Sequence, residues 1–178
     1  MIASLKNLVS FSTKLLVPLS LMAFVMLSYT LFGEEQTSDS HEMLLGKITA
    51  HQLTANFEAF DNTNSKTPLS EDSITALTEV KGIYTIKAFL GTWCHDSERE
   101  IPILLDIIKA AGNPNLQLEL IALNMDKQDP DDLAKLYQIK NTPTIVIEAN
   151  GKELGRIVER PENSLEDNLL AIIESSDQ

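Results

Sequence analysis

Apolar and polar residues follow two different spacings along the second half of the chain, and these spacings predict strands and helices in turn. Four apolar or alternating segments predict strands, at residues 83–90, 116–123, 143–148 and 153–158. Asn150-Gly151, between the last two segments, is a strong signal for a tight hairpin turn. The third and fourth strands are therefore expected to pair antiparallel.

Other segments carry apolar residues three or four positions apart, which predicts amphipathic helices. These segments lie at about residues 48–60, 70–80, 97–111, 129–137 and 164–173. The resulting order is β-α-β-α-β-β-α after one or two leading helices. This order predicts an α/β fold in which helices cover both faces of a central mixed sheet.

The N-terminal segment has a different composition from the rest of the chain. Lys6 and Lys14 precede an uncharged run of 18 residues, 15–32, which as a helix just crosses a hydrocarbon core of roughly 30 Å. Lysines before the run and acidic residues after it place the N-terminus in the cytoplasm and the remainder outside it.

We therefore expect three parts, namely a membrane anchor or signal segment, a polar linker and a folded domain, at residues 1–33, 34–47 and 48–178. In the alternative to an anchor, the first segment is a cleaved signal peptide, although small residues near its end are poorly spaced for cleavage. Both alternatives place the domain on the extracytoplasmic, or periplasmic, side of the cell membrane.

Charge and composition narrow the function classes. The net charge of −12 predicts no nucleic-acid binding, and membrane contact only through the N-terminal helix. A single cysteine rules out a disulfide framework within this sequence. His41 and His51 lie far apart with no cysteine or acidic pair at ligand spacing, so we expect no metal site and no cofactor.

The one cysteine, Cys94, falls where a predicted strand passes into a predicted helix. Free amide groups and the helix dipole stabilise anions at such a junction, which favours the reactive thiolate. Trp93 would shield one side of the sulfur and offer a flat contact surface to a partner. A protonated His95 would favour the thiolate, whereas the Asp96 carboxylate would oppose it.

Ser97 lies one helical turn after Cys94, and its hydroxyl could hydrogen-bond to the sulfur. In the alternative interpretation Ser97 caps the helix, because Ser97-Glu98-Arg99-Glu100 fits a capping box.

The segment Trp93-Cys94-His95-Asp96-Ser97 resembles the Trp-Cys-x-x-Cys site of the thioredoxin superfamily, with the second cysteine replaced by serine. Pro102 stands where thioredoxins carry the proline of the active-site helix, and Thr142-Pro143 where they carry a cis-proline that faces the cysteine. In detail the chain is similar to bacterial thioredoxin-like proteins bearing Trp-Cys-x-Asp-Ser. The resemblance implies a thioredoxin-like fold with Cys94 and Ser97 as catalytic residues and with substrate contacts from Trp93, His95, Thr142 and Pro143.

Two departures from the thioredoxin pattern shape the functional hypothesis. Ser97 cannot resolve a mixed disulfide, and Ala88 stands where thioredoxins carry a buried aspartate. The leading hypothesis is a monothiol (CxxS) thiol–disulfide oxidoreductase that forms mixed disulfides with protein or low-molecular-weight thiols. The alternatives are a non-catalytic binding module that retains the groove, and a peroxide sensor that forms a sulfenic acid at Cys94.

Overall fold

A computed structural model describes residues 43–61 and 68–175. The predicted anchor or signal segment and most of the predicted linker lie outside the described residues. Within the described ranges, no helix combines the length and the apolar character needed to cross a membrane.

Five strands form one mixed sheet with the strand order β1-β3-β2-β4-β5. They are β1 (Gly46–Ile48), β2 (Tyr84–Leu90), β3 (Leu116–Ala122), β4 (Thr144–Ala149) and β5 (Lys152–Val158). Strands β2 and β3 run parallel, and the other neighbouring pairs are antiparallel. The predicted central mixed sheet is therefore confirmed.

Strand β1 is the element that the hydrophobic pattern does not reveal. Gly46 and Lys47, which the sequence places in the linker, pair with β3. A segment of three residues is too short to show alternation. The helix predicted over residues 48–60 is instead α1 (Ala50–Asn56) followed by a 3₁₀ turn (Glu58–Phe60), and Thr49 caps α1.

The remaining helices are α2 (Glu71–Glu79), α3 (His95–Ala111), α4 (Leu133–Leu136) and α5 (Leu165–Glu174). Helices α2, α3 and α5 pack together against one face of the sheet, where the larger apolar core forms. The second face carries α4, a single turn, over a smaller core made by the side chains of Phe89, Ile121, Leu123, Ala134, Ile139 and Val146. Helices thus flank both faces as predicted, but the cover on the second face is small.

Antiparallel pairing of β4 with β2 positions the site. Phe89 is the second-last residue of β2, and it pairs with Thr144, the first residue of β4. The loop before β4 therefore lies beside the segment between β2 and α3, which contains Cys94. The predicted hairpin is formed, since Asn150 and Gly151 both have the positive φ (53° and 73°) that a tight β4–β5 turn requires. The hairpin pairs β4 with β5 and so helps to hold β4 in place.

Candidate functional site

Cys94 is the N-cap residue of α3, and its half-buried side chain does not cap the helix. Its Sγ donates a hydrogen bond to the backbone carbonyl of Thr142 at 3.1 Å. The first amide groups of a helix have no intrahelical acceptor, so the sulfur lies at the positive end of a 17-residue helix. This position favours a negative charge on sulfur once the thiol proton leaves.

The Thr142–Pro143 peptide bond is cis. The Pro143 carbonyl accepts a hydrogen bond from the backbone N–H of Glu159 at 2.8 Å, and the Thr144 hydroxyl donates to the Asn141 carbonyl at 2.8 Å. The first bond ties the loop before β4 to the residue after β5, and the second closes the loop on itself. The Thr142 carbonyl is thereby held against Cys94.

Ser97 is fully buried, and its hydroxyl oxygen accepts a hydrogen bond from the backbone N–H of Gly91 at 3.2 Å. Among the described residues, no hydrogen bond joins Ser97 to the Cys94 sulfur. The capping-box interpretation is wrong, because α3 begins at His95 with Cys94 as its N-cap and Ser97 lies inside the first turn. Ser97 therefore supports the segment before Cys94.

The Trp93 indole is held beside Cys94 by three contacts. Its Nε1 donates to the Leu123 carbonyl at 3.1 Å, and its ring lies so close to Gly91 that a Cβ on that glycine would be 2.6 Å from the indole. The Lys127 ammonium lies 4.9 Å from the ring centroid. The indole is thus a fixed wall of the site with a cation over its face, a contact that the sequence did not suggest.

The Asp96 carboxylate is paired with two arginines. Arg99 donates to it at 2.5 Å from one helical turn further on, and Arg160, which follows β5, approaches it at 3.5 Å. The hydrogen bond from Arg99, assisted by Arg160, holds the pKa of Asp96 below its usual value. Asp96 is therefore ionised, but its charge is offset by two cations, so its repulsion of a Cys94 thiolate is reduced.

His95 lies at the surface, and its side chain is 96% exposed. Its Nδ1 is 2.8 Å from the Glu98 carboxylate, and no contact joins its ring to Cys94 among the described residues. The structure therefore places His95 at the outer rim of the site.

Ala88, at the position of the absent acid, is fully buried in the larger core. The neighbouring position in the strand, Lys87, points to the second face and pairs with Glu148 at 2.6 Å. Burial opposes ionisation of Glu148, but hydrogen bonds from Lys87 and Tyr137 outweigh it and leave the pKa of Glu148 below its usual value. Sequence reasoning missed this cluster because its members are far apart in the chain.

A cavity of 760 Å³ lies on the second face, and its walls include Tyr137, Glu148, Glu153 and Arg156. None of its lining residues belongs to the Trp93–Ser97 segment. Three of its charged groups are already paired, since Glu148 binds Lys87 and Arg156 binds Glu153 through two hydrogen bonds of 2.6 Å. In the part of the chain that the structure describes, no group of three or more His, Cys, Asp or Glu side chains could hold a metal ion.

The structure thus brings Trp93, Cys94, Thr142 and Pro143 together, and places Ser97 behind them and His95 outside them. Lys127, Arg160 and Gly91 join the site without any signal in the sequence beyond their residue types. What the arrangement offers chemically is one accessible sulfur at a helix N-terminus, facing a backbone carbonyl.

Comparison with known proteins agrees with this geometry. A family model described as thioredoxin matches residues 46–170. No curated protein matches the chain. Among solved structures, a protein of unknown function from Pseudomonas aeruginosa is 21% identical, with a TM-score of 0.50, and the match covers 71% of this chain and 85% of that one.

Thioredoxins themselves are also among the similar structures. Thioredoxin from Fasciola hepatica is 22% identical with a TM-score of 0.40, over 53% of this chain and 82% of that one. Mitochondrial thioredoxin 3 from Saccharomyces cerevisiae is 21% identical with a TM-score of 0.39, over 58% of this chain and 88% of that one. At these identities the likeness concerns the fold alone.

Proposed function

Because the chain belongs to the thioredoxin family, we propose that it performs one-sulfur thiol–disulfide exchange through Cys94. The observation that carries this proposal is the position of the Cys94 sulfur at the N-terminus of α3, 3.1 Å from the Thr142 carbonyl of the cis-proline loop. A redox-related function follows from the family, whereas the monothiol mechanism is our proposal.

The exchange has two steps that balance in sulfur and protons. The Cys94 thiolate attacks one sulfur of a partner disulfide, the S–S bond breaks, and the other partner sulfur leaves as a thiolate that takes up a proton. An external thiolate then attacks the partner's sulfur in the mixed disulfide. Cys94 leaves as a thiolate, and the partner and the external thiol depart joined by a new disulfide.

Loss of the thiol proton also changes the Thr142 carbonyl. In the reduced protein this carbonyl accepts the Cys94 hydrogen bond. A thiolate or a mixed disulfide has no such proton to donate, so the carbonyl becomes available to a backbone N–H of the partner. Trp93 forms the adjoining wall, and Ser97 supports the site by holding Gly91.

Reaction of the reduced protein with a small peptide disulfide tests the proposal, with mass spectrometry to identify the product. We expect one half of the disulfide to become joined to Cys94 and to be released again when an external thiol is added. Absence of this adduct contradicts the proposal. The Cys94→Ala variant is the blank, because the sequence has no other cysteine.

A non-catalytic binding module is the second candidate. It is favoured by the Ser97 hydroxyl, which contacts Gly91 instead of the sulfur, and by the apolar Ala88 in the core. Capture of partners from envelope extracts by wild type and Cys94→Ala under non-reducing conditions separates the two. Equal capture supports the module, whereas capture that needs Cys94 and is released by reductant supports exchange.

We further propose that residues 1–33 tether or deliver the domain to the periplasmic side, with residues 34–47 as the linker. The uncharged run at 15–32 between two lysines and a group of acidic residues supports this topology. Alkaline phosphatase fused after residue 42 provides the test, because its disulfides form only outside the cytoplasm. An inactive fusion at normal expression contradicts the proposed location.

A further inference from the structure

Lys127 has an unusual environment for a cation in an acidic chain. Three basic side chains in the described part are partly buried, namely those of Lys87, Lys127 and Arg156. Lys87 and Arg156 each have a carboxylate oxygen at 2.6 Å. Lys127 has no ion pair within the described residues, and its ammonium donates instead to the Met125 carbonyl at 3.0 Å.

Acidic residues stand close to Lys127 without pairing with it. Asp126 and Asp132 are exposed and form no ion pair with its ammonium. Asp129 is buried, and its carboxylate accepts hydrogen bonds from the backbone N–H groups of Asp131, Leu133 and Ala134. The Lys127 charge therefore remains available to an anion that arrives from outside the chain.

The backbone does not account for a lysine at this position. Lys127 has a φ of 60°, in the left-handed region that favours glycine and asparagine. The turn that creates this conformation is built by Asn124, whose carbonyl accepts from Lys127 N–H and whose side chain accepts from Gln128 N–H. The turn itself therefore does not require a lysine, and a reason for the lysine must be sought in the contacts of its side chain.

That side chain lies over the indole next to the reactive sulfur. The ammonium is 4.9 Å from the Trp93 ring centroid, and Trp93 immediately precedes Cys94. We propose that Lys127 selects disulfides that carry a carboxylate next to the reacting sulfur, and that it binds this carboxylate while Cys94 attacks. This inference rests on the proposed exchange activity and names the substrate class of that site.

A carboxylate next to sulfur occurs in acidic protein segments and in small carboxylated thiols, so the experiment has two arms. The protein-like arm compares the homodisulfides of acetyl-Glu-Cys-Gly-amide and acetyl-Gln-Cys-Gly-amide, which differ in one charge. The small-molecule arm compares dithiobis(nitrobenzoate), which carries carboxylates, with uncharged dithiodipyridine. The measured quantity is the second-order rate constant of the single reaction with Cys94 in the full-length chain in detergent micelles.

Three variants make the comparison specific. Lys127→Asn removes the charge and tolerates the left-handed backbone, whereas Lys127→Arg keeps the charge. Lys152→Gln removes an exposed charge at the hairpin, at the far end of β4 and β5 from the cis-proline loop. Lys152 therefore reports the general effect of making the chain more acidic.

In the protein-like arm we expect wild type and Lys152→Gln to prefer the Glu peptide by about three- to fivefold at low salt. The preference should be retained in Lys127→Arg, vanish in Lys127→Asn, and shrink in about 0.5 M salt because the charges are screened. In the small-molecule arm Lys127→Asn should slow the reaction with dithiobis(nitrobenzoate) by a larger factor than the reaction with dithiodipyridine. An effect confined to one arm identifies the source of the carboxylate.

Two outcomes overturn this inference and leave the exchange activity standing. In the first, Cys94 reacts but shows no preference for a carboxylate in either arm. In the second, the preference survives in Lys127→Asn. No reaction of Cys94 with any of the four disulfides overturns the proposed function and this inference together.

Discussion

The Ser97 hydroxyl oxygen accepts a hydrogen bond from the backbone N–H of Gly91 at 3.2 Å, and both residues are buried. Gly91 directly follows β2, and Ser97 lies in the first turn of α3. The bond therefore closes the short segment that presents Cys94. The serine at the position of the second thioredoxin cysteine thus has a structural task of its own.

Ser97→Ala should lower the free energy of unfolding by about 1–3 kcal/mol, because it leaves the buried Gly91 N–H without an acceptor. Urea denaturation followed by Trp93 fluorescence measures this loss. Ser175→Ala, at the exposed end of α5, is the control and should change stability by less than about 0.5 kcal/mol. Equal stability of wild type and Ser97→Ala would show that the Gly91 N–H does not depend on this serine.

Ser97→Cys should convert the site to a dithiol that resolves its own mixed disulfides. The new sulfur would lie three residues after Cys94 on the same helix face, as in the thioredoxin Cys-x-x-Cys site. Mass spectrometry after mild oxidation should show an internal disulfide, and mixed disulfides should become short-lived. The double variant Cys94→Ala/Ser97→Cys keeps the new thiol without its partner; if its oxidised product matches that of Ser97→Cys, the internal disulfide is ruled out.

Gly91→Ala should displace the indole of Trp93, because the added Cβ would lie 2.6 Å from the ring. The hydrogen bond from Nε1 to the Leu123 carbonyl would then be lost or lengthened. Trp93 is the only tryptophan in the sequence, so a red shift of its emission reports the displacement directly. Gly151→Ala, strained by its φ of 73° but far from any tryptophan contact, is the control; an equal shift there would contradict the explanation.

Glu148 should make the stability of the domain sensitive to acid. The pKa of Glu148 lies below its usual value of 4.5 in the folded protein, so its contribution is fully present above pH 4.5 and is lost as pH falls through the lower folded value. Glu148→Gln should flatten this part of the stability profile, measured by thermal unfolding from pH 3 to 7. A profile as steep as that of wild type would assign the acid sensitivity to other groups.

At neutral pH, Glu148→Gln should also destabilise the protein by about 3 kcal/mol, because it removes the carboxylate that is hydrogen-bonded to Lys87 at a site where both side chains are at least 86% buried. The double variant Lys87→Met/Glu148→Leu should recover much of this loss, because it removes both charges together. Failure of the double variant to exceed Glu148→Gln in stability would argue against an unpaired charge as the cause.

Periodicity predicted most of the fold but not the contacts that complete the site. The hairpin was predictable because Asn150 and Gly151 favour one turn type, and β2 was predictable because its segment is rich in apolar, β-branched and aromatic residues. Strand β1 was not, since its identity depends on pairing with β3 instead of on its own pattern. The positions of Lys127 and Arg160 depend on loops whose course follows from tertiary packing, and hydrophobic spacing carries no information about it.

Ser97 is a single residue whose contact could not be predicted from the sequence for the same reason. Its place in the sequence suggests a contact with the neighbouring sulfur or a helix cap. The actual partner, Gly91, depends on where α3 begins, which lies two residues earlier than the pattern indicated. A two-residue shift in a helix boundary was enough to change the assigned task of the side chain.

Because Cys94 is a single thiol, any disulfide equilibrium of this domain is bimolecular and involves a second thiol-bearing molecule. A dithiol protein oxidises within one molecule, and the ratio of its two forms is independent of protein concentration. Here each disulfide joins two molecules, so the oxidised fraction depends on how much partner is present and how tightly it is held. The domain therefore has no reduction potential of its own, and each partner defines a separate couple with it.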